Sequence, residues 1–258
     1  MSRALITGAS KGIGKAIAWE LASQKKCNLL LIARSEGLLK ETAKALSETF
    51  GIEVDYLAID LAAHGAARKV LEWTSQKTYQ IDILVNNAGY GLSGPFDKYS
   101  LEENTQMMEV NMVVPVQLCQ LFLPMLQSRP KSYILNIASS AAYQAVPYLS
   151  VYAATKSFIL SYSRGLRQEL RHSGVSVTAI SPGSTDTDFV VRAQIGPKGV
   201  KTAQKVNMTA QAVALIAVKS MFAGKAEVIT GLINKVGAFM VWLMPKALVE
   251  KTAMKLYE

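Results

Sequence analysis

The chain has 258 residues, 50% of them hydrophobic and only 18% charged, which excludes a disordered polymer and suits one large α/β domain with a deep core. Its 28 Lys and Arg against 19 Asp and Glu leave a net charge of +9, yet the basic residues are scattered and no run exceeds Lys25-Lys26, so a nucleic-acid partner is not expected. Cys27 and Cys119 lie far apart in apolar surroundings, and His64 and His172 have no partners at ligand spacing, so neither a disulfide nor a metal site is expected.

An apolar strand, "ALIT", starts at once, which leaves no room for a signal peptide and predicts a cytoplasmic protein. It runs into "TGASKGIG", where Gly8, Gly12 and Gly14 permit positive φ and close approach, and where the following helix, Ile13 to Gln24, offers free N–H groups to an anion. A lone glycine-rich turn is often only a tight turn; here it follows a strand, opens a helix and begins a βαβ series, the context of a dinucleotide site. The second strand, "NLLLIA", ends at Ala33 and Arg34, where an acidic residue would receive the ribose hydroxyls of NAD. No acid stands there. Arg34 and Lys11 instead bring two cations to the place of a 2′-phosphate, which predicts NADP(H) over NAD(H).

Strands and helices keep alternating: a helix from Glu36 to Phe50, "EVDYLAI", a helix from Ala66 to Tyr79, "IDILVN", a long helix from Leu101 to Leu126, then "YILNIA". A helix from about Tyr152 to Arg171, "VSVTAIS", a helix from about Thr209 to Ala223 and a last strand near "EVIT" complete seven strands. Such alternation predicts a parallel, doubly wound sheet flanked by helices, with ligands at the carboxyl ends of the strands. Residues 188–207 read as a substrate-side lid because "GPKG" interrupts any regular helix. No apolar stretch reaches the ~18 to 20 residues of a spanning helix. The apolar tail, about 231–258, with "VGAFMVWLMP" and Lys235, Lys246, Lys251 and Lys255 nearby, is ranked first as docked on the pocket or self-associated and only then as an interfacial anchor.

Tyr152 and Lys156 stand four apart on one helix face, and thirteen residues earlier lies Ser139. Alone, a Tyr and a Lys one turn apart are commonly packing. Together with Thr7 to Gly14, Asp60-Leu61, "NNAG" at Asn86 to Gly89, Asn111, "YAATK" and "PGSTDT" at Pro182 to Thr187, they make the chain from about Arg3 to Thr230 resemble a short-chain dehydrogenase/reductase. The resemblance implies a single Rossmann domain over residues 1–258 and cofactor contacts from Thr7, Gly8, Ser10, Lys11, Gly12, Ile13, Gly14 and Arg34. It places Asp60 and Leu61 beside the adenine, Asn87, Ala88 and Gly89 in the cofactor wall, and Pro182, Gly183, Thr185 and Thr187 about the nicotinamide. It gives Asn86 a structural part and implies a homodimer or homotetramer. "NNAGYGLSGPF" with "GLINK" and "MPKALV" resembles the branch holding general ketone reductases and long-chain ketoacyl reductases.

Reducing a carbonyl takes a hydride and a proton, and a nicotinamide supplies only the first. A tyrosine ordinarily titrates at ~10 and a neighbouring ammonium favours its phenolate, so Tyr152 is the expected acid and Lys156 its partner, and the resemblance implies that Lys156 also holds the nicotinamide ribose. The resemblance, in which the family's serine lies thirteen residues before its tyrosine, implies that Ser139 rather than Ser140 would donate to the carbonyl oxygen, and that Asn111 would hold a water leading from Lys156. The intact tetrad favours an enzyme acting on CH–OH groups over a non-catalytic NADP(H)-binding redox sensor. A membrane-surface long-chain ketoacyl reductase is the other alternative. The expected substrate is a hydrophobic ketone, aldehyde or alcohol, because the predicted wall of Ala141, Tyr143, Gln144, Tyr148, Phe189 and Ile195 carries few polar groups.

Overall fold

The computed structural model describes residues 2–187, 189–196, 199–200 and 207–257. Of the lid expected over 188–207, residues 188, 197–198 and 201–206 lie outside these described residues. Strands β1 (Arg3–Thr7), β2 (Asn28–Ala33), β3 (Val54–Ala58), β4 (Ile83–Asn86), β5 (Ser132–Ile137) and β6 (Val175–Ser181) belong to one sheet. Short β7 (Thr185–Asp186) and β8 (Met208–Thr209) pair apart from it, and β9 (Glu227–Ile229) returns to its edge. The order is β3-β2-β1-β4-β5-β6-β9, with every pairing parallel. That order reverses between β1 and β4, which opens a crevice at the carboxyl edge.

Both faces of the sheet are covered, and the two-residue period of each strand divides the core. Leu30, Leu5, Leu84, Ile134 and Val177 stand in register across five strands and pack against α3 (Ala66–Gln76) and α5 (Val114–Gln127). Their neighbours Leu31, Ile6, Val85 and Leu135 face the other way, onto α1 (Gly12–Lys25), α2 (Glu36–Phe50) and α8 (Ala210–Phe222). Each such buried Leu or Ile contributes ~1.5 to 3 kcal/mol, so this double row anchors the loops above it.

Helix α4 (Leu101–Met108) starts at a reciprocal capping box between Ser100 and Glu103. The single long helix expected from Leu101 onward is interrupted by a π turn, Glu109–Val113, before α5 resumes. Pro115 has no N–H to return to the carbonyl of Asn111, so the coil widens there, and the Val114 N–H reaches Glu109 instead. From Leu101 to Gln127 the helix runs 27 residues and is apolar enough to cross a membrane by length and composition, contrary to the expectation above. Its apolar stripe, Val110, Val114, Leu118, Phe122 and Leu126, is buried in the core instead.

Helix α6 (Ser150–Glu169) begins two residues before Tyr152, α7 (Phe189–Arg192) lies within the stretch expected as a lid, and the β7·β8 pair joins its two ends. The tail forms α9 (Leu232–Leu243) and α10 (Lys246–Tyr257), which lie over the carboxyl edge of the sheet and line the cavity described next.

Candidate active site

One cavity of about 1240 Å³ follows the carboxyl edge, from the glycine loop after β1 to the tail helices. At its first end Gly8 and Gly12 hold φ of 67° and 54°, the left-handed region that glycine enters without strain. No side chain caps the first turn of α1, so N–H groups on cavity-lining Gly12 and Ile13 are left for a ligand. A Cβ on Gly12 would lie 3.1 Å from Thr187 across the cleft. Ser10 and Lys11 line this end as well.

Two residues of the glycine motif sit beneath the loop and are not among those lining the cavity. Thr7 donates from Oγ1 to the Val85 carbonyl and accepts from the Asn87 and Ala88 N–H groups, which clamps β1 to the turn after β4. Gly14 is needed for packing, because a Cβ there would come within 2.3 Å of the Gly8 carbonyl oxygen and 2.4 Å of Asn87 Nδ2. Asn87 lines the cavity, and its amide also donates to the carbonyl of Thr7. Asn86 donates to Asn136 and Cys119 below the site, which agrees with a structural part.

Arg34, Asp60 and Leu61 line the cavity beyond β2 and β3, and Ala88 and Gly89 line it after β4. Arg192, a third cation that the sequence reading missed, reaches this end from α7 and sits 4.0 Å from the Tyr90 ring centroid. Desolvation, followed by the Arg34 charge, holds its pKa below the ordinary guanidinium value. Nothing local in "FVVRAQ" marks this arginine; only the fold carries α7 back over the Tyr90 loop.

Past the middle of the sheet the polar groups converge. Ser139 follows β5 and accepts the Ala141 N–H at 3.1 Å, which caps the turn Ser140–Tyr143. Tyr152 is buried, and its ring packs 5.2 Å from that of Phe189. Lys156 Nζ lies 5.8 Å from the Tyr152 ring centroid and donates to the Ile137 carbonyl at 2.9 Å. Burial lowers the Lys156 pKa from 10.5 to about 8. The π turn directs Asn111 inward, where it accepts the Tyr90 N–H and donates to the Tyr90 carbonyl and to Thr155. Asn111 is not among the lining residues, yet a point one Cβ length from Gly89 lies 3.0 Å from Asn111 Oδ1 and 3.2 Å from Lys156 Nζ. Pro182, Gly183, Thr185 and Thr187 complete the wall after β6.

The far end is apolar. Ala141, Tyr143, Gln144, Phe189 and Ile195 line it as expected, whereas Tyr148 is not among the lining residues and is held at φ 64°. Tyr143 donates to Glu227, and burial followed by that carboxylate raises its pKa. The tail docks on this end, one of the two arrangements ranked first, and lines it with Asn234, Ala238 and Val241 of α9, Met244, and Val249 and Ala253 of α10. The close fit is possible because position 183 is glycine, since a Cβ there would lie 2.1 Å from Asn234 Nδ2.

The sheet order and the crevice define a Rossmann-type α/β protein with buried Asn111, Tyr152 and Lys156 and half-buried Ser139 clustered at its carboxyl edge. Residues 2–197 match the short chain dehydrogenase family model, and the chain belongs to the short-chain dehydrogenase/reductase family of oxidoreductases. It is 34% identical over 206 residues to an uncharacterised oxidoreductase of Staphylococcus saprophyticus, covering 78% of this chain and 88% of that protein. It is 36% identical over 183 residues to very-long-chain 3-oxoacyl-CoA reductase-A of Danio rerio, covering 69% of this chain and 56% of that one. Among solved structures, a short-chain dehydrogenase from Sphingobium yanoikuyae in complex with NADPH superposes with a TM-score of 0.82 at 27% identity, covering 96% of this chain and 98% of the other.

Proposed function

We propose that this chain is an NADP(H)-dependent oxidoreductase that interconverts a hydrophobic ketone or aldehyde with its alcohol, with Tyr152 as general acid in reduction and general base in oxidation. The observation that carries the proposal is the burial of Tyr152 beside Lys156 in a cavity that also holds Ser139. The residues present fit the cofactor: glycines leave room for a pyrophosphate, an uncapped helix start offers N–H donors, and Lys11, Arg34 and Arg192 stand at the 2′-phosphate end without a ribose-binding acid after β2. The Sphingobium yanoikuyae neighbour, solved with NADPH, supports that choice. When bound, the nicotinamide supplies or accepts the hydride.

Lys156 carries its proton below about pH 8, so near neutrality its ammonium favours negative charge on the Tyr152 oxygen as the phenol gives up its proton. Ser139 donates to the substrate oxygen, where negative charge gathers during reduction. Asn111 fixes the Tyr90 loop and presents Oδ1 to the space over Gly89, where a water would join it to Lys156 and return the proton from solvent. The likeness to a very-long-chain 3-oxoacyl-CoA reductase and the apolar far wall support a long or bulky substrate.

The test is a panel of aromatic, alicyclic and long-chain carbonyls assayed with NADPH and NADH. Turnover of bulky ketones with NADPH is expected. Full cofactor binding without turnover of any carbonyl or alcohol would favour the non-catalytic sensor.

A further inference from the structure

Helix α9 has apolar residues on two opposite sides. Asn234, Ala238 and Val241 face the cavity, while Leu232, Val236, Phe239 and Leu243, at helical spacing, form a second stripe absent from its lining. Among the described residues this outer stripe has no cover: Leu232 is 77% exposed, Val236 54%, Phe239 59% and Leu243 62%, with Trp242 beside them at 78%. Leu248 and Met254 of α10 are exposed too. Lys235, Lys246, Lys251 and Lys255 are all exposed around these residues, and Glu250 is the sole acid between positions 231 and 257.

We infer that the outer face of α9, with the lysines of α9 and α10, is a docking surface for an anionic lipid bilayer. A 12-residue helix is too short to span a bilayer but suited to lie in its interfacial plane, with apolar side chains in the acyl boundary, tryptophan at the headgroups and lysines against lipid phosphates. Charge selects this occupant over a second copy of the chain. A two-fold contact would set the same lysine-rich patch against itself, on a protein already at +9, whereas anionic lipid neutralises it. The sequence ranks docking over the pocket and self-association ahead of a membrane; α9 does dock, and its opposite face still stays bare. The inference is independent of turnover. Joined to the oxidoreductase reading, it lets a lipid-dissolved carbonyl enter beside Ile233 and Met240, which are exposed at the cavity rim.

The experiment is flotation of the full chain with vesicles of phosphatidylcholine alone or mixed with phosphatidylserine, at low and high salt. The chain should float with the phosphatidylserine vesicles, less so at high salt. Val236→Glu/Phe239→Glu should lower that partition at least tenfold while NADPH affinity, which reports folding, is kept. Should that variant not fold, Lys246→Glu/Lys251→Glu carries the same expectation. Wild-type protein that remains at the bottom of the gradient overturns the inference, as does a fall in oligomeric mass on substitution, which would make the face a contact between copies. Because no step requires turnover, failure here is distinct from failure of the proposed activity.

Discussion

At the glycine-loop end of the cavity the wall is mostly backbone, held so closely that Gly14 has no space for one added carbon and Gly8 must keep a positive φ. At the tail end the wall is side chain, contributed by two helices whose other faces remain in solvent. The first end tolerates almost no change and suits a ligand of fixed shape. The second meets its ligand through dispersion and desolvation, which accept many shapes, so the two ends separate an invariant chemistry from an adjustable substrate choice. The tetrad lies between them.

Substitution at Tyr152 is the severest way to test that division. Tyr152→Phe keeps the ring against Phe189 and removes only the transferable proton, so kcat should fall ~10² to 10⁴-fold with NADPH affinity preserved. Single-turnover kinetics with cofactor titration separates the two quantities. Retention of most of kcat would sink the assigned acid. Ser139→Ala should lose roughly 10²-fold, as for one donor to a developing oxyanion.

Lys156 yields a pH signature of roughly 3 kcal/mol, since burial moves its pKa from 10.5 to about 8 and each pH unit is worth ~1.4 kcal/mol. The folded value lies below the unfolded one, so the unfolded chain binds the extra proton. Cofactor-free stability should therefore rise as pH climbs from about 8 toward 10.5, and Lys156→Met should abolish this slope. Carbonyl reduction should run the other way, declining above about pH 8 as the ammonium is lost. Denaturant melts across pH and a pH-rate profile give the two curves, and parallel curves would refute the assigned ammonium.

Arg34→Ala tests the glycine-loop end by affinity. A charged hydrogen bond to phosphate is worth ~1.5 to 3 kcal/mol, so NADPH should bind roughly tenfold to a hundredfold more weakly while NADH changes little. Calorimetric titration of both cofactors suffices. Arg192→Ala should give a smaller loss with the same preference for NADPH, and equal losses for both cofactors would reassign both arginines to the pyrophosphate.

The glycine-loop end was legible in the sequence because its demands are local. Positive φ and absent Cβ atoms select glycine at fixed offsets within eight residues, and the helix period sets Tyr152 and Lys156 on one face, while their roles and that of Ser139 came from the family resemblance. Thr7 and Gly14 show the limit: both were read as cofactor contacts, yet they lock the loop from beneath, a distinction that depends on Val85 and Asn87, far away in sequence. The π turn had a visible cause in Pro115 but not a visible outcome. Arg192 was closed to sequence reasoning because α7 reaches the cavity through tertiary packing alone; docking of the tail on the pocket was among the arrangements ranked first, but "VGAFMVWLMP" is apolar all round, so period could not say which side faces the pocket.

The smallest expected effect lies at the tail end and is the most telling for the comparison. Val241 lines the cavity from α9 without touching the polar cluster, and Val241→Ala removes two methyl groups from a wall that already opens to solvent at Ile233 and Met240. One methylene in an apolar site is worth ~1 kcal/mol, so KM for a bulky ketone should rise about fivefold to thirtyfold, while kcat and NADPH affinity hold. A small ketone that never reaches α9 should show no change. Steady-state kinetics with one bulky and one small substrate decides the matter. A fall in kcat for both would mean that α9 acts through the tetrad and that the two ends are one rigid unit; a KM effect confined to the bulky substrate would show that the tail selects substrates while the glycine loop and tetrad run the reaction.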